Sequence, residues 1–328
     1  MAKPVLITVD KIDNINVIDL VSYVRSINGH GAARQALVVG GRSDTIGYTN
    51  DVTLYRFDDT AAGVVRNNST NNRANHSCTG NNTEMLVIGG RSANTTWLSA
   101  VDKIHFDNTA TTTLTNTLSQ TRERGIAAGT LNHIVYMSGL DSTGSLSSQI
   151  QNVRYDDAGS AIFSNGITTP RSTAHGVGNG TDAIVQGGTD GASANLNAGE
   201  KIRLDDTITA RALTNTLSIS RTNGCCVTEG RSFIVMGGET STVVDSIESV
   251  AFDDLSAALI HTNNLLAPRT SQVAASDSMY AILFGGKDNA GVRLNTIDKI
   301  KLDDSTTSTA STNNMLVAKN LHAAESGF

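Results

Sequence analysis

The chain has 328 residues, with 31 acidic against 25 basic side chains and a net charge of −6 when histidine is neutral. The basic residues are dispersed singly, which excludes the clustered basic footprint of a nucleic-acid-binding protein. The apolar run at 5–9 is shorter than a signal-peptide core or a membrane span, so we expect no membrane insertion.

The first strong element along the chain is a short apolar strand at 36–39 that ends in a glycine pair, and this element returns in five further copies. Its first glycine position falls at 40, 89, 138, 187, 237 and 285, a period of about 49 residues that predicts an array of equal units. One copy has Ser138-Gly139 instead. The intact pairs are Gly40-Gly41, Gly89-Gly90, Gly187-Gly188, Gly237-Gly238 and Gly285-Gly286.

A basic residue stands at a fixed distance before the glycine pair in most units. Lys319 repeats this position near the end of the chain, and Arg25 lies one residue out of register. A single partner could not need a copy in every unit, so we predict a structural role, with each side chain bonding carbonyls or a carboxylate of a neighbouring unit. The five arginines are Arg73, Arg122, Arg171, Arg221 and Arg269.

The remainder of each unit completes a four-stranded pattern. A strand of small residues follows the arginine, a polar turn leads to the apolar strand, and a polar loop then precedes an alternating strand such as 101–106. An acidic turn, such as Asp156-Asp157, leads to a Thr- and Asn-rich fourth strand, and we favour a hairpin turn over a calcium site there. Four short strands per unit predict the blade of a β-propeller.

The two ends of the chain decide how the ring closes. The full units are 25–72, 73–121, 122–170, 171–220, 221–268 and 269–318, and the segment 319–324 repeats the first strand of a further blade. The segment 5–9 resembles a second strand. We therefore predict one all-β domain over 1–328, a seven-bladed propeller whose closing blade combines 1–24 and 319–328. A six-bladed ring is the alternative.

Several residues of the units resemble the kelch repeat. Pro170-Arg171, His175, the strand 184–188 with its glycine pair, Glu200 and Leu204-Asp205 follow the kelch pattern, and so do Pro268-Arg269 and Leu302-Asp303. The tryptophan of the kelch fourth strand is absent. The Ser/Thr/Asn-rich, proline-poor form of the units looks similar to the kelch-like virion proteins of tailed bacteriophages.

The loops after the glycine pairs are the predicted binding surface. They run through about 42–50, 91–99, 140–149, 189–198, 239–246 and 287–295, and their sequences diverge while the strands stay alike. Tyr48, Trp97 and Arg293 are the side chains best suited to anchor a partner, with Arg42 and Arg91 as polar supports.

Catalysis and cofactor binding have little support in the sequence. His76 and His322 share one repeat position on the strand that lines the channel, and structural hydrogen bonding is favoured there over metal binding. Cys78, Cys225 and Cys226 fit neither a disulfide framework nor a zinc site, and they lack the tyrosine partner of a galactose-oxidase-like centre. We expect no catalytic residue, no metal and no cofactor.

The resemblance implies a non-enzymatic structural and interaction protein of a phage particle, in the tail or the host-adsorption apparatus. Its partners would be other virion or scaffold proteins, or a host surface receptor, and its location the virion. An intracellular, cytoplasmic kelch-type adaptor is the alternative, and a glycan-binding or galactose-oxidase-like propeller is a third possibility.

Overall fold

The computed structural model describes residues 35–58, 61–81, 83–106, 110–229, 231–255, 257–277, 279–320 and 323–327. These residues belong to one compact unit, Arg34–Phe328. The strands expected within 1–24, the start of the first repeat at Arg25 and the side chain of His322 lie outside the described residues.

Short strands rich in β-branched residues, separated by glycine and polar turns, form the described chain. The strands are β1 Gln35–Ser43, β2 Gly47–Arg56, β3 Val64–Asn68, β4 Ser77–Gly80, β5 Glu84–Ile88, β6 Arg91–Ala93, β7 Thr96–Trp97, β8 Val101–His105, β9 Thr111–Thr113, β10 Arg122–Glu123, β11 Ile126–Gly129, β12 His133–Met137, β13 Leu140–Asp141, β14 Ile150–Arg154, β15 Ser160–Ile162, β16 His175–Gly178, β17 Asp182–Gln186, β18 Gly199–Arg203, β19 Arg211–Ala212, β20 Cys225–Thr228, β21 Ser232–Met236, β22 Ile247–Ala251, β23 Leu259–Ile260, β24 Val273–Ser276, β25 Tyr280–Phe284, β26 Ile297–Lys301, β27 Thr309–Ala310 and β28 Ala323–Gly327.

Six four-stranded antiparallel sheets are the blades of a β-propeller in this part of the chain. From the inner to the outer strand they are β28-β1-β2-β3, β4-β5-β8-β9, β11-β12-β14-β15, β16-β17-β18-β19, β20-β21-β22-β23 and β24-β25-β26-β27, numbered here as blades 1 to 6. The inner strands contact one another in cyclic order, from β28 through β4, β11, β16, β20 and β24 back to β28. The all-β propeller is confirmed, with the six blades of the alternative in place of seven.

The C-terminal strand closes the ring by completing the first blade. β28 pairs antiparallel with β1, so that Val39 lies opposite Ala323 and Gln35 opposite Gly327. The segment after Lys319 is an inner strand, as its sequence indicates, but its partner is the strand before Gly40. The seven-bladed prediction was wrong because it gave the first repeat an inner strand of its own, which left the C-terminal strand to begin another blade.

The core consists of layers between neighbouring blades. The second strand of each blade is buried on both faces, as in β12, where Ile134 to Met137 are all inaccessible to solvent. Val135 of blade 3 and Val185 of blade 4 belong to one apolar cluster, and Leu37 of blade 1 and Val87 of blade 2 belong to another. The uninterrupted apolar character of these strands therefore follows from their position between two blades.

The glycine pair joins each blade to the next one. The amide of the second glycine donates to the carbonyl of the following blade's basic residue, for example from Gly90 to Arg122 at 2.8 Å and from Gly286 to Lys319 at 2.9 Å. Both glycines have positive φ. A Cβ on Gly89 would lie 2.5 Å from the Arg122 carbonyl oxygen, which no side chain tolerates without a shift of the backbone.

Ser138 adapts the same junction to a residue that has a side chain. It has a φ of 60°, and its hydroxyl donates to the Arg171 carbonyl, the group that the Cβ would otherwise press against. The same oxygen accepts from the Arg171 amide at 2.9 Å, whereas the amides of Arg122 and Arg221 donate to the loop carbonyls of Leu98 and Leu196. The departure from the repeat is therefore compensated by two hydrogen bonds.

Substitutions at Ser138 test this compensation. Ser138→Ala keeps the Cβ and the positive φ but loses both hydrogen bonds, so we expect it to lower the free energy of unfolding by about 1–3 kcal/mol. Ser138→Gly removes the crowding and restores the pattern of the other units, so we expect a smaller loss. Urea unfolding of both variants measures the difference, and an alanine variant as stable as the glycine variant would contradict the role of the hydroxyl.

Candidate binding face

The loops after the glycine pairs lie on one face, together with the connections from each fourth strand to the next inner strand, and we call this the upper face. Each loop is a tight hairpin that begins and ends in a β-bridge or short ladder. In blade 4, for example, Thr189 pairs with Asn195. The diverging loop sequences are thus carried on one shared backbone form, which places their side chains in a regular ring.

Trp97 packs on the guanidinium of Arg91, its partner in the hairpin ladder. The Arg91 Cζ lies 4.8 Å from the centre of the indole ring, and the two residues pair in the β6–β7 ladder. Arg91 also binds the carboxylate of Glu123 in blade 3 through Nε and Nη2. Trp97 is therefore a half-buried side chain at a fixed position, because the residue beneath it is clamped to the next blade.

Arg42, Tyr48 and Arg293 lie beside this pair. The Tyr48 hydroxyl donates to Asn94 of the blade 2 loop at 3.1 Å, and the Arg42 guanidinium lies 5.7 Å from the Tyr48 ring. Arg293 of blade 6 forms an ion pair with Asp44 of the blade 1 loop and donates to Asn320 at 2.6 Å.

All five predicted binding residues therefore fall in one sector across blades 6, 1 and 2. We call Arg293, Arg42, Tyr48, Arg91 and Trp97 the basic sector. Burial, followed by the positive charge of Arg42, lowers the pKa of Arg293. Arg42 is exposed and forms no ion pair within the part of the chain that the structure describes.

Three residues that hold this sector were missed by the sequence reasoning. Glu123 is fully buried and accepts from Asn75 Nδ2 at 2.8 Å in addition to Arg91, while Asp44 and Asn94 brace the loops of blade 1 and blade 2. Glu123 could have been found by comparing the units, because the residue after the repeated basic residue is uncharged in the others: Ala74, Ser172, Thr222, Thr270 and Asn320.

The five repeated arginines lie inside the blades and not on this face. Each is at most 2% exposed. Arg73 donates to Asp102 at 2.7 Å and to the carbonyls of Gly89 and Ala100. The expected carbonyl and carboxylate contacts are therefore present, but within the arginine's own blade. The main-chain carbonyl of each arginine binds the preceding blade, and in Arg171 the Nε also donates to the Thr169 carbonyl of the preceding unit at 3.1 Å.

Two blades depart from this arrangement. In blade 1, Lys319 takes the place of the arginine and forms an ion pair with Asp51. In blade 3, the strand β14 carries Gln151 where the others carry an acid, and Arg122 instead lies 4.9 Å from the centre of the Tyr136 ring and donates to the Gln149 carbonyl at 2.9 Å.

The central channel is lined by backbone and by side chains with internal partners. It contains a cavity of about 160 Å³ among the inner strands of blades 2 to 6. His76 Nε2 lies 3.1 Å from the Val39 carbonyl. His175 is fixed as the neutral ring, since Nδ1 donates to the Gln186 carbonyl at 3.1 Å and Nε2 accepts from the Gly224 amide at 2.9 Å.

Burial, and after it the charge of Arg221, lowers the pKa of His175 to about 3. Burial raises the pKa of the Cys225 thiol. Within the described ranges, no group of three or more His, Cys, Asp and Glu side chains is placed to hold a metal ion. His76 and His175 both hydrogen-bond main-chain groups of the inner part of the ring.

The acidic turns lie on the opposite, lower face, with the turns between first and second strands. Asp157 accepts from the amides of Thr115 at 2.7 Å and Asn116 at 2.9 Å, which belong to the preceding blade. Asp206, Asp254 and Asp304 repeat this arrangement. Their carboxylate oxygens accept hydrogen bonds from amides of the preceding blade, so these turns link neighbouring blades. The oxygens are not free to coordinate calcium.

No protein-family model matches the sequence, and no curated protein is significantly similar to it. The part of the chain that the structure describes has no helix with the length and apolar character required to cross a membrane. By its fold, this protein is a six-bladed β-propeller. Side-chain contacts link the loops of neighbouring blades on its upper face.

The hydrogen bonds between the acidic turns and the preceding blade predict a loss of stability in acid. Burial raises the pKa of Asp157, but the bonds from Thr115 and Asn116 outweigh it and hold the value at about 2. A carboxyl whose pKa is lower in the folded state stabilises the fold above its unfolded pKa of about 3.9, and this contribution is lost as the pH falls towards 2.

Asp157→Asn removes that titration, so we expect the variant to be less stable at pH 7 and to approach the parent as the pH falls from about 5 to 2. Asp253→Asn is the control, because among the described residues Asp253 accepts a hydrogen bond only from the Leu255 amide of its own turn. Urea unfolding across this pH range measures both. If the free energies of unfolding of Asp157→Asn and the parent differ by the same amount at every pH, the Asp157 carboxylate does not stabilise the junction between the blades.

Proposed function

We propose that this propeller is a non-enzymatic interaction protein that binds a partner protein through the basic sector of its upper face. One observation carries the proposal. Five aromatic and arginine side chains from three neighbouring blades meet in one sector, and Tyr48–Asn94, Arg91–Glu123 and Arg293–Asp44 contacts between blades hold three of them in place. The repeated side chains are engaged elsewhere, in holding the blades together.

These contacts favour binding because they restrict the conformations of the side chains before the partner binds. Tryptophan, tyrosine and arginine are the side chains that contribute most at protein interfaces, and immobilising a flexible side chain opposes association by about 0.5–1.5 kcal/mol. Arg91 and Arg293 are already held by carboxylates, so little of that loss remains for them. The exposed Arg42 next to Tyr48 favours a partner that offers a carboxylate beside apolar surface.

The kelch-like pattern of the units, in its Ser/Thr/Asn-rich form, supports a finer proposal about the partner. By that resemblance, the protein is a virion component of a tailed phage, in the tail or the adsorption apparatus, and the partner is another virion or scaffold protein or a host surface receptor. A cytoplasmic kelch-type adaptor would use the same face, and purified particles distinguish the two, since only a virion protein is found in them.

Trp97→Ala tests the face. Removal of an aromatic anchor at an interface raises the free energy of binding by about 2 kcal/mol, roughly a thirtyfold loss of affinity. We expect this loss when the full chain is titrated onto purified particles that lack it, or onto host envelopes, and we expect little change in melting temperature. Leu131→Ala, which alters an exposed side chain on the lower face, is the matched control.

Two results would contradict the proposal. If the Trp97→Ala variant binds as well as the parent and melts much earlier, Trp97 is a packing residue of the hairpin. If Leu131→Ala weakens binding and Trp97→Ala does not, the partner occupies the lower face.

A further inference from the structure

Lysine side chains fill the grooves between neighbouring blades on the lower face. The third residue of the third strand is Lys103 in blade 2, Lys201 in blade 4 and Lys299 in blade 6. Each ammonium donates to a carbonyl of the next blade: Lys103 to Tyr155 at 3.0 Å, Lys201 to Phe252 at 2.8 Å and Lys299 to Phe57 at 2.8 Å.

Each of these ammonium groups has a second partner at the start of the second strand of its own blade. Lys103 lies 3.5 Å from the Glu84 carboxylate, Lys201 lies 3.0 Å from Asp182, and Lys299 lies 4.2 Å from the centre of the Tyr280 ring. In blade 3 the lysine is replaced by Asn152, and His133 Nε2 approaches the Leu204 carbonyl at 3.1 Å instead. In blades 2, 3, 4 and 6 the lower groove thus holds a cationic or donor side chain on a main-chain carbonyl, whereas blade 1 has Leu54 at the lysine position.

Blade 5 lacks this side chain. Its third strand has Ser249 at the lysine position, and the hydroxyl is bonded to His261, which replaces the apolar residue Leu114, Phe163 or Leu213 of other blades. A cavity of about 330 Å³ lies at this junction of blades 5 and 6. Leu302, whose carbonyl corresponds to those of Tyr155, Phe252 and Phe57, lines it.

The lining combines apolar walls with negative charge. Ala251, Leu259 and Leu302 supply the apolar part, and Glu229 and Asp303 supply carboxylates. Burial, followed by the negative charge of Asp303, raises the pKa of Glu229, so that a cation placed between them would relieve an unfavourable arrangement. Lys301 pairs with Asp303 at 2.9 Å. Burial lowers the pKa of His261 against the opposing effect of Asp304, which favours the uncharged ring.

Ser249, His261 and Asp304 do not have the geometry of a hydrolytic triad. The His261 Nδ1 lies 3.7 Å from the nearer Asp304 oxygen, and both oxygens already accept from Thr262 and Asn263. Ser249 also lies in the middle of β22, which pairs with strands on both sides, so its main chain offers no free amides to a developing oxyanion.

We propose that the cavity between blades 5 and 6 binds the side chain of a lysine from a partner polypeptide. The ammonium would be held by the Leu302 carbonyl and Glu229, as the internal lysines are held by a carbonyl of the next blade, and the methylene chain would pack against Ala251 and Leu259. Leu259, which lines the cavity and is 62% exposed, favours a polypeptide over a free amine because a polypeptide would cover it. This site is on the lower face and is independent of the basic sector.

The test uses the full chain and the peptide acetyl-Ala-Lys-Ala-amide, titrated by NMR. The control peptide has norleucine in place of lysine, which keeps the chain length and removes the charge. We expect weak binding of the lysine peptide with shifts confined to blades 5 and 6, at least about tenfold weaker binding of the norleucine peptide, and weakening by salt.

Two reciprocal variants sharpen the test. Ser249→Lys places a lysine of the protein itself in the cavity, so it should abolish binding and raise the melting temperature. Lys201→Ser opens the corresponding groove of blade 4, where Phe252 and Asp182 already hold an ammonium, so the stoichiometry should rise from one peptide to two. Glu229→Gln should weaken binding of the lysine peptide and leave binding of the norleucine peptide unchanged. This variant tests the proposal if Ser249→Lys fails to fold.

Equal binding of the two peptides would overturn the proposal, since the cavity would then be an apolar groove without preference for a cation. Unchanged binding by a folded Ser249→Lys variant, or by Glu229→Gln, would also overturn it. Trp97→Ala should leave the lysine peptide unaffected, so this site and the basic sector can fail separately.

Discussion

The ring depends on one hydrogen bond, which runs from the amide of the second glycine of each blade to the main-chain carbonyl of the next blade's basic residue. The bond brings two backbones so close that a Cβ does not fit, and this requirement explains the glycine pair. It also fixes the basic side chain, which turns back into its own blade and binds carbonyls and, in most blades, a carboxylate. A buried charge costs free energy unless it is paired or hydrogen-bonded, and Arg122, which has no carboxylate, is held by carbonyls and the Tyr136 ring. The repeated arginine and the strand-three acid are therefore consequences of the same junction.

Much of the architecture could be predicted because it is local and periodic. The glycine pairs, the arginines and the succession of strand types recur at one spacing, and each has a direct physical reading. The number of blades could not be read in this way, because closure depends on the pairing of 35–39 with 323–327, which are separated by almost the whole chain. Lys319 shows why: its carbonyl accepts from Gly286 and its ammonium binds Asp51, so it is the basic residue of blade 1 although it stands at the opposite end of the sequence.

The arrangement of the proposed binding face could be predicted in part. Residue type and loop position were enough to choose Tyr48, Trp97 and the three arginines, but their grouping into one sector follows from the ring order of blades 6, 1 and 2. Of the bracing residues, Glu123 is visible as the one acid that follows a repeated basic residue, whereas Asp44 could not be chosen, because an acidic side chain in a polar loop has no distinctive pattern. The cavity between blades 5 and 6 could be predicted only in part. Alignment of the units shows Ser249 at the lysine position, but the resulting cavity is visible only in the structure.

Native-state hydrogen exchange of the second-glycine amides tests the central claim most directly. If the inter-blade bond holds every junction of a closed six-bladed ring, the amides of Gly41, Gly90, Gly139, Gly188, Gly238 and Gly286 should all exchange slowly, with similar free energies of opening close to that of global unfolding. Gly41 and Gly286 are decisive because they flank the blade closed by the C-terminal strand. Rapid exchange at these two positions, with protection at the other four, would contradict the closed ring and show that blade 1 is joined loosely to its neighbours.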